Sequence, residues 1–133
     1  MLFRSDFSHF LKILSLLRGK SNFGILVGSP LLAGASVLYG ASGAVPGVAN
    51  IDPRAMLDVY AAAIAKNTTS LQLLQDRVHT LMSIASHGAP IACLKTALEL
   101  MGVCSHYTTA PFQPLSEEKR EAIAATLRKL ELL

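Results

Sequence analysis

The sequence predicts an α/β fold of two βα units with parallel strands followed by three helices, and three observations carry that prediction. Two short, unbroken apolar runs, 23–27 and 43–49, are bounded by turn residues, which is how strands buried on both faces read. Helical stripes precede, separate and follow them, and the order helix, strand, helix, strand, helix calls for parallel pairing through a right-handed crossover. Beyond Asn67 the strand signals stop, and apolar residues recur only at helical spacing.

The first helix is expected from Asp6 to Arg18, with Phe7, Phe10, Leu11, Leu14 and Leu17 on one stripe and Gly19 as its stop. Phe23 to Val27 forms the first strand. Ser29-Pro30 then serves as N-cap and first helical residue of a small-residue helix that ends near Gly40. The second strand follows over 43–49, and Asp52-Pro53 opens the next helix by the same capping chemistry. In the second half, Thr69-x-x-Gln72 reads as a capping box before the stripe Leu71, Leu74, Val78, Leu81, Met82 and Ala85, which Gly88 ends. Pro90 to Met101 forms a helix stopped by Gly102. A loop with Pro111 and Pro114 leads to the last helix, Ser116 to Leu130, whose acidic start (Glu117, Glu118) and basic end (Arg128, Lys129) complement the helix dipole. The chain has no internal repeat and no low-complexity segment.

Hydrophobic residues make up 51% of the chain and charged residues 16%, which excludes a disordered or solvating polypeptide. The net charge of +3 is scattered along helices and never gathered with aromatics, so no nucleic-acid partner is expected. Cys93 and Cys104 lack Cys-x-x-Cys spacing and no signal-peptide layout opens the chain; a reducing, cytoplasmic setting with free thiols fits. The uncharged stretch from Ser21 to Ile51 is longer than the roughly 20 residues that span a bilayer, and its Gly24/Gly28 and Gly43/Gly47 pairs are of the kind that pack membrane helices. Its glycines, with Pro30 and Pro46, would break a spanning helix, and the strand, helix, strand division places no membrane among the partners. His79, His87, Cys93, Cys104 and His106 lack the tight spacing of a zinc site, so no metal and no cofactor are expected. No Ser-His-Asp order or phosphate loop is present.

Several local strings resemble the last strands and C-terminal helices of the dihydrodipicolinate synthase / N-acetylneuraminate lyase family of pyruvate-dependent aldolases. Phe23-Gly-Ile-Leu-Val-Gly-Ser29 resembles the family's seventh strand. Tyr39-Gly-Ala-Ser-Gly-Ala-Val-Pro-Gly-Val-Ala-Asn50 resembles its glycine-spaced eighth strand, and is the most specific of the matches. Ala89-Pro-Ile-Ala-Cys-Leu-Lys95 and Pro111-Phe-Gln-Pro-Leu-Ser-Glu-Glu118 resemble the helical tail. The resemblance implies the C-terminal part of a (β/α)8 TIM barrel, its last two strands with their helices over 1–66, followed by a three-helix extension over 67–133.

Carried over residue by residue, the resemblance makes Gly28 and Val45 the substrate-binding candidates: Gly28 ends strand seven, where backbone lies close to substrate, and Val45 is the pyruvate-contacting position of strand eight. Ligands in such barrels sit at the C-terminal ends of the strands, where small residues allow close approach. The alternative is that Gly28 serves only the turn and Val45 only the barrel core. Two departures narrow the substrate. Ser29-Pro30-Leu31 lacks the acidic residues with which the sialic-acid branch binds its sugar chain, and Pro46 stands where many synthases have serine. A sugar-acid or other 2-oxo-acid aldolase or dehydratase fits as well as a synthase.

Family members work through a lysine that forms a Schiff base with pyruvate, in a Lys-Asp/Glu-x-Ser-Gly-Asp-like string on strand six. Aligning the last residue of that string with Asp6 puts Ser5 at the glycine and Met1 at the lysine, so no catalytic residue is assigned and the chain reads as a fragment, an internal-start product or a truncated gene. The lysines at 12, 20, 66, 95, 119 and 129 fall on predicted helices or their flanks, none expected to point into a pocket; Lys95 matches a tail lysine without catalytic duty. The function expected is that of a truncated Schiff-base aldolase or lyase whose full-length relative acts on pyruvate or another 2-oxo acid, with homo-oligomers or self-association as the protein contacts. The alternatives are a non-catalytic structural or interaction remnant and, behind it, a small membrane protein.

Overall fold

The computed structural model describes residues 6–20 and 22–133; the readings of Met1 and Ser5 lie outside the described residues. Helix α1 (Phe7–Leu17) is capped by Asp6, whose carboxylate accepts the N–H groups of Ser8 and His9 at 2.9 and 3.2 Å. Strand β1 (Leu26–Val27), a 3-10 turn (Pro30–Leu32), α2 (Ala33–Leu38) and strand β2 (Gly43–Ala44) follow. A second 3-10 turn (Gly47–Asn50) leads to α3 (Pro53–Ile64) and α4 (Thr68–Ser83), which runs into a third (Ile84–His87). Helices α5 (Pro90–Leu100) and α6 (Glu117–Lys129) complete the order.

The two strands pair in parallel, Leu26 with Gly43 and Val27 with Ala44. They are shorter than the sequence predicts. Phe23 is 65% exposed instead of buried, and regular pairing at the far end stops before Pro46, which lacks an N–H and begins the 3-10 turn. Residues 23–48 thus form strand, turn, short helix and strand. No helix among the described residues is long and apolar enough to cross a membrane.

Two predicted caps moved. Ser29 makes no side-chain capping bond, and the turn after it winds as 3-10 before the six-residue α2. The Thr69/Gln72 capping box gives way to Asn67, whose side chain accepts the Ser70 N–H at 3.1 Å. Lys66 at φ 55 turns the chain sharply out of α3, so α4 starts at Thr68. Asp52 caps α3 as expected, accepting the Ala55 N–H at 2.9 Å.

The core lies between the sheet's inner face and the helices. Val48, Val59, Val78, Leu81, Ile84, Ile123 and Leu127 are among its largest fully buried side chains. Helix α2 approaches α4 so closely that a Cβ on Gly34 would sit 2.7 Å from a Leu71 methyl, which is why glycine occupies that contact. The opposite carboxylate oxygen of the buried Asp52 accepts from Arg77 at 2.7–2.9 Å, and the same guanidinium donates to the Leu130 carbonyl at 3.1 Å. That junction ties the end of the β2–α3 connection to α4 and to the end of α6.

Candidate functional site

Side chains alternate across a strand, so the register sorts the sheet into two faces. Ile25, Val27 and Ala44 point toward the helices; Ile25 and Val27 are buried there. Leu26, Gly28, Gly43 and Val45 belong to the other face. One step beyond the ladder the register sets Gly28 opposite Val45, a placement supported by the Val45 N–H donating to the Val27 carbonyl at 2.8 Å. Val45 is 49% exposed and so is no part of the core the helices build. Gly28 is half-buried. Both stand at the C-terminal ends of parallel strands, each followed within two residues by a 3-10 turn.

This arrangement brings together the two residues singled out in the sequence. Around Gly28 and Val45 the chain contributes backbone, small apolar side chains and the Ser29 hydroxyl, and no residue of 22–51 is charged. The lysines lie elsewhere. Lys95 donates its ammonium to the Tyr107 carbonyl at 2.7 Å, bracing the loop after α5. One expectation fails at Lys20, which with Arg18, Tyr39 and Ser42 lines a recess of about 320 Å³ at the opposite, N-terminal end of the strands.

Among the described residues no three His, Cys, Asp or Glu side chains come together as a group that could hold a metal ion. Cys93 is fully buried, which pushes its thiol pKa up, whereas Cys104 is exposed. One polar cluster went unread. His106 Nδ1 lies 2.6 Å from one oxygen of Glu99, and Arg120 donates to the other at 2.5 Å. These hydrogen bonds, His106 first, hold the Glu99 carboxyl at a pKa of about 2, below its ordinary 4.5. Twenty-one residues separate Glu99 from Arg120, so no local pattern announces the pair.

A groove of about 420 Å³ runs beside β2, floored by Ala33 and Val37 of α2 and Ala44, and walled by Met56 and Tyr60 of α3. Its signal was present in the sequence: Leu57, Tyr60 and Ile64 form a second apolar stripe on α3, all 40% exposed or more.

Known proteins share both the sequence and this geometry. The 4-hydroxy-tetrahydrodipicolinate synthase of Polynucleobacter asymbioticus is 32% identical over 118 residues, 86% of this chain and 38% of that protein. The same enzyme from Geobacter metallireducens is 30% identical over 112 residues, 82% of this chain and 38% of its own length. Among solved structures, the dihydrodipicolinate synthase of Bacteroides thetaiotaomicron superposes with a TM-score of 0.90 at 30% identity, covering 94% of this chain and 44% of that one. The chloride-inhibited dihydrodipicolinate synthase of Acinetobacter baumannii, solved in complex with pyruvate, gives 0.86 at 29% identity, over 96% and 43%. The chain thus spans 38% of the length of the curated relatives named here. The sequence pattern of the Dihydrodipicolinate synthetase family matches residues 5–130, nearly the whole of it, and the chain belongs to that family.

Proposed function

We propose that this chain forms the strand-seven and strand-eight wall of a (β/α)8-barrel lyase that holds pyruvate or another 2-oxo acid as a Schiff base. Residues 1–66 make up the barrel portion, and 67–133 a helical extension that buttresses it through the Asp52–Arg77–Leu130 junction. The observation that carries this reading is the juxtaposition of Gly28 and Val45 on the uncovered sheet face, at the C-terminal strand ends where barrel enzymes bind their ligands. Gly28 lets the ligand approach the backbone closely, and Val45 packs against the small apolar end of a 2-oxo acid and excludes water there.

The covalent chemistry belongs to a lysine outside this chain's residues. Its neutral amine adds to the 2-oxo carbon and water leaves; in cleavage the iminium takes up the electron pair of the breaking carbon–carbon bond as an enamine that is then protonated, and in formation loss of a proton from the carbon beside the iminium gives the same enamine, whose electron pair makes the new bond. Lys95, engaged with the Tyr107 carbonyl, takes no part. The uncharged strand ends suit a small keto acid better than a polyhydroxylated chain that needs carboxylate partners.

A fusion tests the reading: the part of the Polynucleobacter synthase outside the match is joined to this chain, and pyruvate affinity is read by reductive trapping with borohydride. The wild-type fusion should trap pyruvate. Val45→Asp should raise the pyruvate concentration for half-trapping by about tenfold or more, since it sets a charged, hydrated carboxylate where the ligand's apolar end packs. An unchanged half-trapping concentration in Val45→Asp would remove Val45 from the site.

A further inference from the structure

Between Asp6 and Asp52 the sequence contains no acidic residue, and the three cations in that stretch, Lys12, Arg18 and Lys20, equal the net charge of the whole chain, +3. The remaining basic and acidic residues balance. The fold brings two of the three together. Arg18 and Lys20, just past the end of α1, line the recess of about 320 Å³ at the N-terminal end of the strands, together with the hydroxyl-bearing Tyr39 and Ser42. Neither cation pairs with a carboxylate among the described residues. Ile25, on the helix side of the sheet, also lines the recess, so its walls are the end of α1, the approach to β1 and the end of α2, all within this chain. An ordinary duty for cations there would be to offset the carbonyl ends of α1 and α2. Backbone amides already occupy those carbonyls: Arg18 donates to Ser15, Lys20 to Leu17, Gly40 to Val37 and Ala41 to Ser36. The guanidinium and ammonium are left to the recess they line.

We propose that this recess binds a small organic phosphate monoester, its dianionic head between Arg18 and Lys20 with the Tyr39 and Ser42 hydroxyls as further donors, its apolar body against Phe23 and Ile25. Two unpaired cations call for a dianion. A phosphate monoester carries close to two negative charges above its second pKa of about 6, whereas a carboxylate carries one. The Arg18 guanidinium suits it further, because its N–H fork meets two phosphate oxygens at once. Phe23 lines the recess while 65% exposed, so the residue that the sequence places in the core has an apolar face free for the body of a ligand. The Tyr39 ring stands edge-on to Phe7 with centroids 5.6 Å apart, which orients it before a ligand arrives. The volume lies at the small end of the range of ligand sites, about 300–1,000 Å³, and admits a body of one ring or a short chain. Gly28 and Val45 end the strands on the opposite side, so this site does not depend on the pyruvate reading.

The test is urea unfolding of the chain at submicromolar concentration in phenyl phosphate, inorganic phosphate or benzoate, with ionic strength matched by sodium chloride. A ligand held by the folded chain alone raises the unfolding midpoint in proportion to its occupancy. Phenyl phosphate should do so with half-saturation below about 1 mM. Inorganic phosphate, which lacks the apolar body, should need about fivefold more or higher, and benzoate, a monoanion, should match the chloride control. Arg18→Gln/Lys20→Gln should raise the half-saturating concentration of phenyl phosphate about tenfold or more. Lys20→Gln alone, at an exposed position beyond α1, should raise it about threefold or more, and Lys12→Gln, outside the recess, should leave it unchanged. Phenyl phosphate giving no more than the chloride control, an equal rise with inorganic phosphate or benzoate, an unchanged half-saturation in Lys20→Gln, or an equal loss in Lys12→Gln would each overturn the proposal.

Discussion

Asp52 is buried, and its two carboxylate oxygens have different duties: one caps α3 and the other receives Arg77. Asp52→Ala should lose the cap and leave the guanidinium without its carboxylate, a cost of about 2–3 kcal/mol, tempered because Arg77 retains the Leu130 carbonyl and water. Urea unfolding of the two proteins side by side measures it. A loss under 0.5 kcal/mol on that scale, roughly the noise of a surface substitution, would mean the junction is ornamental. Glu99 makes a different kind of contribution. Its pKa in the folded chain, about 2, lies below the ordinary 4.5, so the ionised form held by His106 and Arg120 stabilises the fold above about pH 4.5, and the contribution disappears as pH falls toward 2. In Glu99→Gln that acid-dependent loss should be absent from a stability profile over this range, and amides of the loop between Gly102 and Leu115 should exchange faster at neutral pH. Equal profiles for the two proteins would contradict the assignment.

Helix α6 shows how element packing sets stability here. Ile123 and Leu127 are fully buried against α4 and α5, where they meet Val78 and Leu81 in one core cluster. Leu127→Ala should cost about 2–5 kcal/mol, the ordinary range for a buried leucine that leaves a cavity, with urea midpoints as the readout. At this scale the sequence was most legible where local chemistry decides. Asp6, Asp52-Pro53, Pro90 and the acidic start of α6 place helix ends within a residue or two, because a cap or a proline acts on its own turn. Asn67 displaced Thr69 as a cap: the Asn amide oxygen and the Thr hydroxyl can each accept a first-turn N–H, and the left-handed turn at Lys66 starts the helix one residue after Asn67. The strands were found but drawn too long, since an apolar run records burial and not how many ladder bonds a two-stranded sheet completes. Gly28 and Val45 were named from family resemblance, and only the register explains why they are neighbours. The Leu57, Tyr60 and Ile64 stripe on α3 was a local sign of an exposed apolar face, but the groove itself escaped notice because its floor and wall come together from α2, β2 and α3 only in the fold.

At the scale of the whole molecule, the sheet among the described residues, two parallel strands with Val45 exposed on one face and no third strand at the Ala44 edge, is an unfinished layer, since parallel strands are normally covered on both faces. Alone in solution the chain should scatter light increasingly as its concentration rises through the micromolar range, without settling on one stoichiometry, so the urea comparisons above are made below that range; a chain that stays a monodisperse monomer throughout the micromolar range would contradict this. Pocket wall and nucleophile are, on this account, carried by different stretches of a family barrel. The measurement that tests this division most directly is borohydride trapping of pyruvate on the chain alone and on its fusion, with the adduct located by peptide mass spectrometry. A solvated lysine with a pKa near 10.4 is only about one part in two thousand free amine at neutral pH, so the chain alone should give no stoichiometric adduct at Lys12, Lys20, Lys66, Lys95, Lys119 or Lys129. The fusion should give one adduct, on a lysine of the synthase portion. A single adduct on the chain alone, at Lys95 and abolished by Lys95→Met, would contradict the account and make this chain an aldolase in its own right.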